Sequence, residues 1–251
     1  MLFDESKKEA AVVLLYDFDQ LDEKLQQKII QDSRASFAES VDYDYDISTF
    51  LVDAEEKGLS VKSEDIRFSL CGVQGDGASF VTEHIDFRKV IEDNGFVDKF
   101  PILREKNNLD EFIDGLKGVI HRVDDMYSHK NTVSSDVWYS GDFNDFYGFE
   151  NIAYALKICL DEIKDELCDS LYANLQATHD NELSDKNIFN YYQSGGDKFF
   201  VDGTRANPEI FDYSDNAKRA IAFMKLPSMV QEDIGAMIDK ESALALRCFG
   251  R

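Results

Sequence analysis

IRFSLCGVQGDGASF, residues 66–80, decides the fold class. Ile66–Cys71 and Ala78–Phe87 favour extended backbone, and the glycine-rich Gly72–Gly77 lies between them. That pattern is a β-hairpin with an irregular turn. Gln74-Gly75-Asp76-Gly77 sits at its centre. Two glycines there supply positive φ or close packing, and Asp76 bonds nearby backbone in an Asx-type turn. Backbone N–H groups of the same turn can also cradle an anion, and Asp76 can hold a cation or act as a base. The run lacks the G-x-G-x-x-G order and the Walker lysine. It joins strand to strand, so it does not read as a dinucleotide or P-loop motif.

Outward from this hairpin the period alternates between strand and helix. Leu21, Leu25 and Ile29 recur every fourth residue and predict a helix over 20–38, entered through Tyr16–Asp19. A second helix covers 46–57 and stops at Gly58, a natural C′ residue. Residues 88–108 read as loop and short helix, and Asp110–Leu116 as helix. Val119–Tyr127 and Thr132–Tyr139 form a second hairpin around Ser128–Asn131. The expected fold is therefore α+β: about four antiparallel strands in one sheet, with helices packed on it. The clearest helix is a long central one at 149–177, where Ile152, Leu156, Cys159, Ile163, Leu167, Leu171 and Leu175 follow three- and four-residue steps. A helix at 184–193 and a short β element at Lys198–Val201 follow. Helices at 214–225 and 228–246, divided by Pro227, complete the chain. The organisation expected is one α+β domain over 1–251, with 205–251 as a helical C-terminal subdomain.

The 251 residues carry 50 acidic and 27 basic side chains, a net charge of −23. That balance argues against direct binding of nucleic acid and against an anionic membrane surface. The longest apolar run, Ala10–Tyr16, is far shorter than the roughly 20 residues of a membrane span. The first residues lack a basic region followed by an apolar one, so the chain reads as cytoplasmic in a bacterial host. Cys71, Cys159, Cys168 and Cys248 form no C-x-x-C pair and show no ligand spacing with His84, His121, His129 and His179. They read as reduced cysteines without metal.

IRFSLCGVQGDGASF also resembles a signature of bacteriophage and prophage proteins, of the type I-x-F-S-G-F-x-S-Q-G-D-G-A-S/C-F. The chain keeps Ile66, Phe68, Ser69, Gln74, Gly75, Asp76, Gly77, Ala78, Ser79 and Phe80, and departs at Leu70, Cys71 and Val73. LDEKLQQKII (21–30), AEEKGL (54–59), YSHKNT (127–132) and the segment 172–204 are similar to further parts of that family, so the likeness spans about 15–205. Some members carry an antitoxin-like label. The resemblance implies an accessory protein of phage or mobile-element origin, without a catalytic signature or cofactor.

Two sets of candidate site residues follow. The turn set is Gln74, Gly75, Asp76, Gly77 and Ser79, with His129 facing Asp76 if both hairpin turns share one sheet end. The second set is acidic and aromatic: Asp42, Tyr43, Asp44, Tyr45 and Asp46, joined by Asp161, Glu162, Asp165 and Glu166 of the long helix. The D-x-D-x-D spacing lacks the Gly and Glu of a calcium loop, with Ile47 and Asp53 at those places. Tyrosines interleaved with acids suit a protein interface. Charge is concentrated: residues 1–60 hold 15 acids and 6 bases, and residues 111–180 hold 14 and 5. Duplex DNA carries one charge per roughly 1.7 Å, so 23 charges match about 40 Å of duplex. The expectation is an inhibitor of a host protein, of anti-CRISPR or anti-restriction type, acting on a nucleic-acid-processing defence component through an acidic, DNA-mimicking surface. The alternatives are an antitoxin-like neutraliser and a nucleotide or small-molecule binder using the QGDG turn. The apolar helix stripe is expected to be buried within the protomer, with a homodimer left open.

Overall fold

Apolar side chains gather in two separate cores, and the chain divides accordingly. The computed structural model describes residues 11–105, 108–141, 148–206 and 244–248. One unit comprises residues 1–40 with 182–251, the other residues 41–181. In chain order the elements are β1 (Ala11–Asp17), α1 (Glu23–Ser40), α2 (Asp44–Glu56), β2 (Leu59–Ser60), β3 (Ile66–Ser69), β4 (Gly77–Phe80) and β5 (His84–Ile85). They continue with α3 (Phe87–Asp93), α4 (Phe96–Lys99), α5 (Asn108–Gly115), β6 (Leu116–Arg122), β7 (Val133–Tyr139), α6 (Phe149–Glu182), α7 (Asp185–Ser194), β8 (Lys198–Phe199) and β9 (Leu244–Cys248). The class is α+β.

The first unit is an antiparallel sheet in the order β8-β1-β9 with two helices. Tyr16 pairs with Phe199, and Ala11 with Cys248. Phe18, Leu21, Ile30, Ile188, Tyr192 and Phe199 form its core. Asp22 caps α1 by accepting from Leu25 N at 2.9 Å, and Ser184 caps α7 by accepting from Asn187 N at 3.2 Å. The apolar run Ala11–Asp17, for which no element is expected, is a strand, and the chain passes from it through Phe18–Gln20 into α1. Two expectations change here. Leu244–Cys248 is also a strand, where 228–246 was expected to be helical. Of the helical subdomain expected at 205–251, only 205–206 and 244–248 lie within the described residues, and the 214–225 helix lies wholly outside them.

In the second unit, α6 extends over 34 residues, or roughly 50 Å at 1.5 Å per residue. Its stripe Ile152, Leu156, Ile163, Leu167, Leu171 and Leu175 is at most 6% exposed, so it packs within the protomer. Phe80, Phe112, Ile120 and Phe149 complete the centre of that core. The strands expected in one four-stranded sheet form two two-stranded ladders, β3-β4 and β6-β7. A single bridge joins them: Thr82 N donates to Ile120 O at 3.0 Å and Ile120 N to Thr82 O at 2.9 Å. The second hairpin also begins earlier than its β-branched residues suggest. β6 ends at Arg122, leaving Val123–Tyr127 in the loop rather than the strand.

Candidate functional site

The turn motif of the first hairpin is saturated by its own aspartate. Asp76 Oδ1 accepts from Ser69 Oγ at 2.7 Å, and Oδ2 accepts from the backbone N–H groups of Gly72 (2.5 Å) and Val73 (3.1 Å). The Ser69 hydrogen bond, followed by the backbone donors, holds the Asp76 carboxyl below its ordinary pKa. Two of the amides that would cradle an external anion are thus already committed to Asp76. Gln74 is exposed at the tip. Ser79 is fully buried on β4, where its Oγ accepts from Arg122 at 3.3 Å.

The glycines explain what the motif builds. Gly75 has φ +107°, and a Cβ there would lie 2.2 Å from the Tyr127 ring. Gly77 has φ +155°, and a Cβ there would lie 2.6 Å from His129 Cα. Glycine is needed at both for backbone conformation and for close approach. The first hairpin's tip therefore lies flat on the second hairpin's loop, where Ser128 N donates to Gly75 O at 3.4 Å. Arg67 of β3 adds an ion pair with Asp125 of that loop at 3.2 Å. His129 does reach the first turn, but it meets Gly77, while Asp76 turns to Ser69. The His129 ring stacks on Tyr127 with centroids 5.8 Å apart. Among the described residues its buried Nδ1 has no hydrogen-bond partner.

Joining the two tips creates a surface that the sequence reading did not name. Val73 on one tip is 61% exposed, while Val123, Met126 and Tyr127 on the other are 58%, 77% and 40% exposed. Asp124 and Asp125 stand beside them in exposed positions. Large apolar side chains in a turn, next to acids, were the available signal. Extending the strand assignment to Tyr127 hid it.

The acidic and aromatic segment splits into two roles. Asp42 and Asp44 are exposed, and Asp42 Oδ1 accepts from Asp44 N at 2.8 Å to open α2. Tyr45 is 82% exposed. Tyr43 and Asp46 turn inward. Tyr43 OH is 2.7 Å from His179 Nδ1, and its ring packs edge-on against Phe68. Burial first, and the neighbouring Asp46 charge second, push the Tyr43 pKa up. Asp46 is 8% exposed, so it does not belong to a solvated acidic patch.

The acids of α6 likewise differ from a free acidic face. Asp161 Oδ1 accepts from Ser135 N (3.2 Å) and Ser135 Oγ (2.8 Å), and Oδ2 pairs with Lys157 at 2.9 Å. Burial raises its pKa, but Lys157 and Ser135 outweigh that and hold it below the usual carboxylate value. Asp165 pairs at 3.0 Å with Lys164, which is only 6% exposed and donates to Val133 O. Glu166 lies 3.5 Å from Lys57. Glu162 stays exposed. Three of the four acids thus fasten α6 to its neighbours or to its own lysines.

Among the described residues, no group of three or more His, Cys, Asp or Glu is placed to hold a metal ion, and no helix is long and apolar enough to cross a membrane. No curated protein and no solved structure matches the chain. A family model does match residues 42–185, which takes in almost the whole second unit with its two joined hairpins and α6. The chain belongs to the family of that model, described as a domain of unknown function, DUF8835.

Proposed function

We propose that the joined hairpin tips dock a protein partner, and that the chain is a phage-type accessory protein inhibiting a host defence component that handles nucleic acid. The observation that carries this reading is the exposure of Val73, Val123, Met126 and Tyr127 on two tips that meet at Gly75 and Gly77. Exposed apolar side chains rimmed by polar ones mark interaction sites. A rigid platform lowers the ordering cost of binding. Asp124 and Asp125 beside these side chains, in a chain of net charge −23, favour a partner with a basic surface. The acids of α6 support this less than their number suggests, because Asp161, Asp165 and Glu166 already have partners. The tips, rather than a duplex-like array of acids, form the contact surface. A nucleotide in the QGDG turn is disfavoured, since Asp76 occupies the amides of Gly72 and Val73.

Site-directed photo-crosslinking in the host tests the reading. A photoreactive residue at Met126 or Val73 should trap the same protein, whereas one at Asp98, exposed on α4, should not. Equal trapping at all three positions, or none at the tips, would refute it. If the trapped protein is a toxin, the antitoxin reading of the same surface is the correct one.

A further inference from the structure

A concave site of about 430 Å³ opens in the second unit where β3, β5 and β6 meet. It gathers Lys62, Arg67 and Arg122 with His84 and His121, although the chain as a whole is strongly acidic. Arg122 is the informative member. Its side chain is only 12% exposed, yet among the described residues the carboxylate it pairs with, Asp125, lies 3.8 Å from Nε and is itself 84% exposed. Its remaining described bond is to the neutral Ser79 Oγ. Burial, and then the Arg67 charge, lower the Arg122 pKa, with Asp125 opposing them. A largely covered guanidinium beside a second guanidinium needs more counter-charge than one solvated aspartate supplies. Asp65 and Glu83 also line the cavity, but neither pairs with these arginines among the described ion pairs.

We propose that this cavity binds a phosphate group, free or carried on a small organic ester, between Arg67 and Arg122, with His84 and His121 on its wall. Guanidinium forks match phosphate oxygens in pairs, which a lone ammonium cannot do. Asp125 pairs with both Arg67 and Arg122 and gives way to the ligand. Its exposure makes the exchange easy, because an exposed ion pair contributes little. The cavity volume suits a small ligand. Diffuse attraction of anions is not an alternative explanation, since the net charge of −23 repels them at long range. The cavity shares Asp125 and Arg67 with the joint between the tips but is lined by none of the apolar residues Val73, Met126 and Tyr127, so phosphate binding and docking are measured separately.

Titration of the full chain with inorganic phosphate and with AMP, followed by NMR of the His84 and His121 ring protons, tests it. Both histidines should shift saturably. Arg67→Gln, at a half-exposed position that tolerates change, should weaken binding by about tenfold or more. Arg122→Lys should also weaken it while retaining the charge. Asp125→Asn should tighten it by removing the internal competitor. Binding of AMP more than about tenfold tighter than phosphate identifies an organic ester as the ligand. Equal affinities identify the free ion, and both outcomes support the site. No saturable shift in the unmodified chain overturns the proposal. So does a shift unchanged by Arg67→Gln, or binding that appears only in Asp125→Asn.

Discussion

Replacing Gly77 by alanine tests whether the two hairpin tips are locked together. The added Cβ would sit 2.6 Å from both Cα and Cβ of His129, and φ at this position is +155°. Backbone cannot rotate aside as an exposed ring can, so one hairpin must shift. The conformational penalty is about 1 kcal/mol or more, and overpacking against fixed atoms adds about 1–3 kcal/mol. A loss of about 3 kcal/mol is expected. Gly75→Ala meets the Tyr127 ring at 2.2 Å, but that ring is 40% exposed and can swing outward. Its expected loss is about 2 kcal/mol, mostly conformational. Gly72→Ala is the control, with nothing within 4 Å of its Cβ and only backbone strain of about 1 kcal/mol. The chain has one tryptophan, Trp138, on β7 of the second unit, so its fluorescence in urea follows that unit. Midpoints should fall in the order Gly72, Gly75, Gly77, with unchanged slope. If Gly77→Ala is as mild as Gly72→Ala, the tips are not in contact and the reasoning is wrong.

Three further outcomes follow from the same geometry. The carboxyl of Asp76 has a folded pKa below its ordinary 3.8, so its stabilisation is present at neutral pH and is lost as pH falls through 3.8 towards the folded value. Asp76→Asn should therefore lower stability at pH 7 and flatten the acid limb of the unfolding profile; an unchanged limb would contradict the turn's hydrogen bonding. Tyr43→Phe removes the 2.7 Å bond to His179 and should cost about 1 kcal/mol by Trp138 fluorescence. A cost near zero would mean that α2 is not tied to α6 there. Burial pushes the Cys168 thiol up to about 12, whereas Cys71 is exposed. Alkylation at pH 8 followed by peptide mass mapping should label Cys71 and spare Cys168, and labelling of Cys168 at a comparable rate would contradict its burial.

The parts legible in the sequence are those whose signal is local. The α6 stripe repeats over many turns, and the residues it predicts are buried except Cys159, which is half-buried. Glycines marked the first hairpin, although Gly77, expected in the turn, opens β4 opposite Ser69, and β3 stops at Ser69 rather than Cys71. One partner of β1, β9, lies more than 200 residues away, so nothing near Ala11–Asp17 marks that apolar run as a paired strand. Asp46 was readable and missed. It precedes Phe50 by four residues and Ala54 by eight, so helical spacing alone places it on the buried face of α2. The pairing of the α6 acids was hidden for a different reason. Lys157 lies one helical turn before Asp161 and Lys164 directly precedes Asp165, so both were visible, but Ser135 and Lys57 come from β7 and from the end of α2. The joined tips depend on a contact between two turns some 50 residues apart, which no local pattern encodes.

The account rests on the tips being the docking surface, and one measurement bears on it most directly. Calorimetric titration of the protein trapped at Met126 should compare the unmodified chain with Val73→Ser/Met126→Ser, both exposed side chains, and with Glu162→Gln/Glu166→Gln. Anchoring apolar residues typically contribute about 2 kcal/mol or more each, so the tip variant should bind at least about thirtyfold more weakly with an unchanged melting temperature. The α6 variant should bind within a few fold of the unmodified chain. Equal affinity of the tip variant, or a larger loss from the α6 variant, would contradict the account and return the contact to the acidic helix face.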